Sequence, residues 1–363
     1  MEACGISDIS VDSNLAGAAA GTYLFDRSVV ADDEWGSLLQ RLELGNIWQH
    51  PVYGRARWGK DSIELCRLFA QGETAVAAMV ALTKIPLLGK RIAYVQFGPV
   101  LQRREAVANE LMLSEFLRRL RHHYVEERSM LLWVRPREAM GEMSWTVRAF
   151  QKGNYLPQPF RVGRGTYRLA LQPSLEDLHA TLSKSWRRNL KRALGQDFEY
   201  RRYTGQRGFD IFNGLYREMI ARKHFATTRE TRAFKTVCRE QPDAARLETF
   251  VCGLKGEPLA AVIVSSLGDT GMALMSATSL KARELRAGYA LDWWCVEQLR
   301  SAGMRWYDLS GDQTAGVNEY KSGLTGAAGQ VCFPGPFVAG GGYVSKGLFF
   351  GLRALVRKVE QYR

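Results

Sequence analysis

No two cysteines in this chain stand in a CxxC pair, and none has a histidine close by: Cys4, Cys66, Cys238, Cys252, Cys295 and Cys332 are scattered. That spacing argues against a zinc site and a disulfide scaffold, and it fits a reducing, cytoplasmic compartment. The five histidines include the neighbours His122 and His123 but no HExxH or HxxxH spacing, so no metal site is expected. No apolar run approaches the ~20 residues that a membrane-spanning helix needs. The first residues are acidic and small rather than basic and then apolar, so no signal peptide is expected.

Negative charge is also in short supply. Against 50 lysines and arginines stand 37 acids, a net charge of +13. Such an excess points to anionic partners: nucleic acid, a phosphorylated substrate or an acidic membrane surface. The remaining composition, 46% hydrophobic and 24% charged, is that of a globular protein, and 363 residues suffice for two cores.

The richest stretch runs from Glu284 to Gly326, ELRAGYALDWWCVEQLRSAGMRWYDLSGDQTAGVNEYKSGLTG. From Tyr289, the apolar positions Leu291, Trp294, Cys295, Val296 and Leu299 predict a helix closed by a left-handed Gly303. Met304 to Leu309 reads as a buried strand that ends in Ser310-Gly311-Asp312, a polar loop leading to Tyr320-Lys321. In open α/β sheets ligands collect outside the carboxyl ends of strands, so chemistry is sought here.

Two stretches of the chain repeat one order of elements. Strands are predicted at Ile63–Ala70, Thr74–Thr83 and Lys90–Phe97, then a helix over Glu105–Glu126 and a strand at Met130–Val134. The later copy has strands at Leu247–Gly253, Leu259–Ser265 and Gly271–Ala277, the Tyr289 helix and the Met304 strand. GETAVAAMVAL and GEPLAAVIVSS mark the correspondence, which lies ~180 residues apart and indicates a duplicated α/β unit. An acid-led helix opens at Asp32 and runs to about Leu44, whereas Pro51 and Gly54 interrupt any regular pattern in NIWQHPVYGRARWGK. Between the copies, Tyr167–Leu171 is a strand and Ser174 starts a helix. Leu182, Trp186 and Leu190 then line one helical face, with Arg187, Arg188, Lys191 and Arg192 pointing elsewhere. Phe209–Lys223 is a further helix, and Tyr343–Arg363 is amphipathic.

The duplicated unit, the WRRNLKRA helix and the segment YDLSG…GVNEYKSGLTG together resemble the Fem-type aminoacyl transferases. The resemblance spans nearly the whole chain. It implies two tandem GNAT-like acyltransferase domains of α/β class with mixed sheets, a central cleft and a C-terminal helix. The expected boundaries are a mobile lead-in at 1–21, domains at 22–165 and 166–336, and a helix at 337–363. That helix is expected to pack back on the first domain, with peripheral membrane contact as the alternative. It also implies transfer of an aminoacyl group from charged tRNA to an amine of a phosphate-bearing acceptor, such as a peptidoglycan precursor, without a resident cofactor.

Carried onto this sequence, the resemblance makes Lys321 the group that meets the attacked carbonyl and Tyr320 a wall of the acyl site. Asp308 and Asp312 flank the strand end, Asp308 as a candidate proton acceptor or loop cap and Asp312 as a substrate contact. Arg187, Arg188 and Lys191 are candidates for holding phosphate or an RNA backbone. Arg57 matches a phosphate-binding position, with Lys60 nearby. Three places depart from the family pattern: Ser310 replaces a glycine of DLGG, Tyr320 a phenylalanine, and SGLTG a glycine-rich turn. The span Phe209–Asp243 is too short for the long helical hairpin of some members. Acyl-CoA enzymes of this fold cradle pyrophosphate with [QR]-x-x-G-x-[GA]; Gly288 and Ala290 are present, but Leu285 holds the Gln/Arg place. A CoA- or carrier-protein-dependent transferase is the alternative, and a non-catalytic tRNA- or phosphate-binding protein the third reading.

Overall fold

A computed structural model describes residues 23–84, 91–102, 104–138, 144–157, 165–223, 229–240, 245, 247–311 and 315–340. The first sheet takes its strands from β1 (Tyr23–Asp26), β2 (Ile63–Ala70), β3 (Glu73–Lys84), β4 (Arg91–Gln96), β5 (Val100–Leu101), β6 (Leu131–Arg135) and β7 (Leu156–Pro157). The second contains β8 (Thr166–Ala170), β9 (Glu199–Thr204), β10 (Leu247–Leu254), β11 (Glu257–Leu267), β12 (Thr270–Thr278), β13 (Trp306–Gly311) and β14 (Gln330–Val331). One more strand, β15 (Phe337–Ala339), returns to the first sheet.

The spatial orders are β1-β2-β3-β4-β6-β15-β7 and, read from its other edge, β9-β10-β11-β12-β13-β8-β14. These orders correspond place by place. In each sheet one neighbouring pair is parallel, β4 with β6 and β12 with β13, and the other paired neighbours are antiparallel. The first sheet is completed only by β15, whose Phe337 pairs with Val134 and with Pro157. The described part of the 337–363 segment is therefore a strand; the amphipathic stretch of the tail lies outside the described residues.

Helices follow the strands in the same rhythm: α1 (Asp32–Arg41), α2 (Pro51–Trp58), α3 (Ala106–Arg121), α4 (Ser144–Lys152), α5 (Leu175–Thr181), α6 (Lys184–Leu194), α7 (Gly205–Lys223), α8 (Arg229–Glu240), α9 (Leu280–Glu284), α10 (Ala287–Ser301) and α11 (Ala315–Thr325). Two departures from the sequence pattern have local causes. The helix predicted to run on to Glu126 changes to π-helical turns at His122–Glu127. Pro51 and Gly54, expected to break regularity, lie inside α2. Proline needs no amide partner at the first helical position, and His50 caps the helix by accepting from the Val52 amide at 3.3 Å. Burial holds the His50 imidazole neutral, at about 4, which keeps that nitrogen an acceptor. Gly54 lets α2 lie on β3, because a Cβ there would collide with the Met79 sulfur.

Each sheet carries its own core. Phe116, Leu117 and Leu120 of α3 pack on Ala93, Val95 and Leu132 of the first sheet. Trp186 and Leu190 of α6, with Leu291 and Val296 of α10, pack on Val262 and Val264 of the second. A third core joins the halves, where Ile47, Val52 and Tyr53 meet Phe209, Phe234 and Ile263. The tilted rings of Tyr53 and Phe234 lie 5.5 Å apart, so α2 of the first half is built into the side of the second. Among the described residues, no helix is long and apolar enough to cross a membrane.

Candidate active site in the second copy

Lys321 lies inside α11, not in the loop that the sequence suggested. It is 7% exposed, and its ammonium donates to the carbonyls of Ser310 at 3.1 Å and Gly311 at 2.8 Å. Those carbonyls belong to the last residues of β13, so the cation stands at a carboxyl end of the second sheet. Ser310 reaches this geometry with φ of +63°, the left-handed region that glycine favours. Its amide donates to Asp308 at 2.8 Å and its hydroxyl to the Ala273 carbonyl, two bonds that hold a serine where glycine is usual.

Helix α11 reaches its seat because Gly323 faces α6. A Cβ there would meet Trp186 at 2.9 Å and Ser183 at 3.0 Å, and the Gly323 carbonyl accepts from the Ser183 amide at 2.9 Å. The SGLTG departure thus supplies a close helix contact. Beside it, Trp186, Tyr289 and Tyr320 form a wall of rings with centroid separations of 5.0, 5.7 and 4.9 Å. The Tyr320 hydroxyl points inward, 2.6 Å from Asp292 and 3.0 Å from the Gly288 carbonyl.

Gly288 belongs to the first turn of α10, the place where acyl-CoA enzymes of this fold meet pyrophosphate. Here Tyr289 bonds to Asn189 of α6, and its ring joins the wall of rings on that turn. Arg286 caps the helix with φ of +63°, and its guanidinium donates to the Arg283 carbonyl at 3.1 Å. The turn is engaged by aromatic side chains and by its own arginine.

Asp308 is fully buried, and its oxygens receive Arg137 and Thr166 at 2.5 Å, Arg168 at 3.0 Å and the Ser310 amide. Burial alone would raise its pKa; the two guanidiniums and the Thr166 hydroxyl more than offset this and leave it below the usual value. Burial and Arg168 bring Arg137 down to about 10, which still leaves it charged at neutral pH. A carboxylate so committed joins the two halves, since Arg137 follows β6 of the first sheet. It has lost the basicity that a proton acceptor requires.

The remaining expected residues fall in two places. Arg187, Arg188 and Lys191 line one open groove of about 650 Å³ together with His179, Leu194 and Gly195, between α5 and α6. Arg187 is anchored there by the Ala180 carbonyl at 2.8 Å. Arg57 is elsewhere, at the end of α2, stacked 4.4 Å over Trp58 with a buried Nη1 that has no hydrogen-bond partner among the described residues. Trp58 continues edge-on to Tyr94, and Tyr94 to Trp133, across the face of the first sheet opposite Ala93, Val95 and Leu132. Lys60 is exposed. Asp312 lies outside the described residues.

Sequence reasoning missed Asp292, Arg137, Arg168 and His179. For Asp292 a signal existed, a lone acid between Leu291 and Trp293 in an otherwise apolar helical stretch. Arg137 had none, because its partner is 171 positions away.

The comparisons agree with this architecture. Residues 180–322, the stretch that holds α6 and Lys321, match a family described as an acetyltransferase (GNAT) domain. The crystal structure of FemX superposes with a TM-score of 0.75 over 89% of this chain and 99% of that one, at 13% identity. A conserved protein of unknown function from Bacteroides thetaiotaomicron aligns at 0.57, with 11% identity and 88% and 99% of the two chains covered. L-PGS from Bacillus licheniformis aligns at 0.51, with 12% identity and 80% and 87% covered. No curated protein matches the sequence. The chain is a tandem GNAT-like protein with the architecture of FemX, and its second copy carries the matched acetyltransferase-type domain.

Proposed function

We propose that this protein is an N-acyltransferase that moves an aminoacyl group from charged tRNA to an amine of a phosphate-bearing acceptor. The observation that carries this reading is the buried ammonium of Lys321, fixed by two main-chain carbonyls at the end of β13. A cation already held in place stabilises the developing oxyanion of an ester under attack without reorganising at the moment of reaction. The acceptor nitrogen adds to the ester carbonyl, the ester bond to the ribose breaks, and an amide forms. The nitrogen gives up its proton to solvent or to the departing ribose oxygen. No side-chain base is assigned, because Asp308 is committed to arginines.

Three further features support an RNA-linked donor. The chain is strongly cationic, the groove of Arg187, Arg188 and Lys191 faces solvent, and aromatic rings engage the first turn of α10. Arg57, with one nitrogen unpaired among the described residues, is placed to hold an acceptor phosphate. Tyr320 lines the acyl side beside Lys321. The match to an acetyltransferase family favours one second reading, an acyl-CoA donor on the same scaffold. A panel of charged tRNAs with a nucleotide-linked peptidoglycan precursor separates the two. Product whose formation is abolished by ribonuclease is expected; thiol release from acetyl-CoA or a long-chain acyl-CoA without RNA would replace this reading with the second.

A further inference from the structure

Asp292 is the acid that the site does not otherwise use. It sits on α10 and faces two tyrosine hydroxyls: Tyr307 of β13 donates to one oxygen at 2.9 Å, and Tyr320 of α11 to the other at 2.6 Å. One carboxylate thereby ties together the three elements around Lys321. The Tyr307 bond fixes the strand whose last carbonyls hold the ammonium. The Tyr320 bond fixes the helix that carries Lys321 as the very next residue. The ammonium also lies within electrostatic reach of the same carboxylate.

We propose that Asp292 is the positioning residue of the transfer site, holding α11 against β13 through Tyr320 and Tyr307 and supplying the counter-charge that keeps the Lys321 ammonium in place. This rests on the transfer reading above and extends it to a residue that touches no substrate. Burial raises the carboxyl's pKa, while the two hydroxyls and Lys321 pull the other way. The groups facing it are Tyr307, Tyr320, Lys321 and, on its own helix, Cys295; burial pushes both phenols and the thiol upward. Within this cluster Asp292 is therefore the group that titrates on the acid side. Transfer falls as pH drops through its raised pKa.

The carboxylate is half-buried, and burial makes its charged form the costlier one in the folded protein. Since the pKa is raised on folding, the ionised form costs stability as pH rises through that value, and a neutral isostere removes the cost. Function and stability are then expected to separate. In Asp292→Asn the melting temperature at pH 8 should equal or exceed that of the wild type. Its kcat for transfer from charged tRNA should fall about a hundred-fold, the scale set by misplacing a reacting group by about 1 Å, with KM little changed. The acid limb of the kcat profile should disappear with it. Glu297→Gln, on the same helix but away from Lys321, should behave as wild type.

Wild-type kcat in Asp292→Asn, a loss only in step with the melting temperature, or an acid limb that persists would each overturn the assignment. If the wild type transfers from no charged tRNA, the donor reading fails, and the inference is then read by hydrogen exchange. Asp292→Ala should accelerate exchange across Ala315–Thr325, and unchanged exchange there would overturn the positioning role by itself.

Discussion

The two copies share one strand order and differ in where they keep their charges. At the second sheet, Asp308, Asp292 and Lys321 are all drawn inward around the end of β13. At the first, the equivalent strand β6 is followed by Arg137, which is used up in holding Asp308, and the next helix, α4, sends its cations outward. Lys152 and Arg148 of α4 are 57% and 51% exposed and pair with Glu110 of α3. Both copies bury polar groups, but the first spreads them, Gln49 and His50 at α2 and Glu138 under the Thr146 hydroxyl, whereas the second gathers Asp308, Asp292 and Lys321 at one strand end. The first copy contributes in other ways, through α2, which fills the joint core, and through Arg57.

Paired substitutions at matched places put that contrast at risk. The largest effect is expected from Lys321→Ala, which should lower the transfer rate at least about 100-fold, by analogy with loss of an oxyanion donor, while the freed carbonyls cost about 1–3 kcal/mol of stability. Lys152→Ala, the helical lysine of the first copy, should leave the rate unaltered. Equal losses would show that both copies act.

Next comes Asp308→Asn. Leaving Arg137 and Arg168 buried without their anion should cost about 3–5 kcal/mol, read from urea unfolding. Arg148→Ala on the first copy's surface should cost less than about 1 kcal/mol. The pH dependence carries the same sign argument. The Asp308 pKa is depressed on folding, so its contribution is fully present above the unfolded value of about 3.9 and is lost as pH falls through the lower, folded one. The extra acid sensitivity of the wild type over Asp308→Asn should appear in that window and nowhere above it.

Gly323→Ala should push α11 away from Trp186, costing about 1–3 kcal/mol and slowing transfer by displacing Lys321. The smallest change is Ser310→Gly. Relief of the positive φ and loss of the hydroxyl's bond to the Ala273 carbonyl oppose one another, so stability should shift by less than about 1 kcal/mol.

Much of the fold was legible because strands buried on one face alternate and helix ends carry their own punctuation. Ser174 caps α5 and Gly303 ends α10 with φ of +77°, both readable from residue type. Lys321 was singled out, but its helix was hidden. Two glycines and a threonine in AGVNEYKSGLT weaken the periodic signal, and what holds the segment is contact with α6 and Asp292. Strand β9 was missed for a related reason. Half of Glu199 to Thr204 is charged because it is the edge of its sheet, and among the described residues it pairs only with β10. Helix α8 escaped notice as a span rich in charge, though Phe234 on it fills the joint core. The inward pairing of Asp308 with Arg137 and Arg168 depends on long-range topology, which no local pattern encodes.

The second copy alone is expected to receive the activated carbonyl. Hydrogen exchange with a stable amide-linked aminoacyl-RNA hairpin bound tests it most directly. Protection is expected at Lys184–Leu194 and Ala315–Thr325, with none at Ala106–Arg121 or Ser144–Lys152. Protection confined to the latter two helices would contradict it.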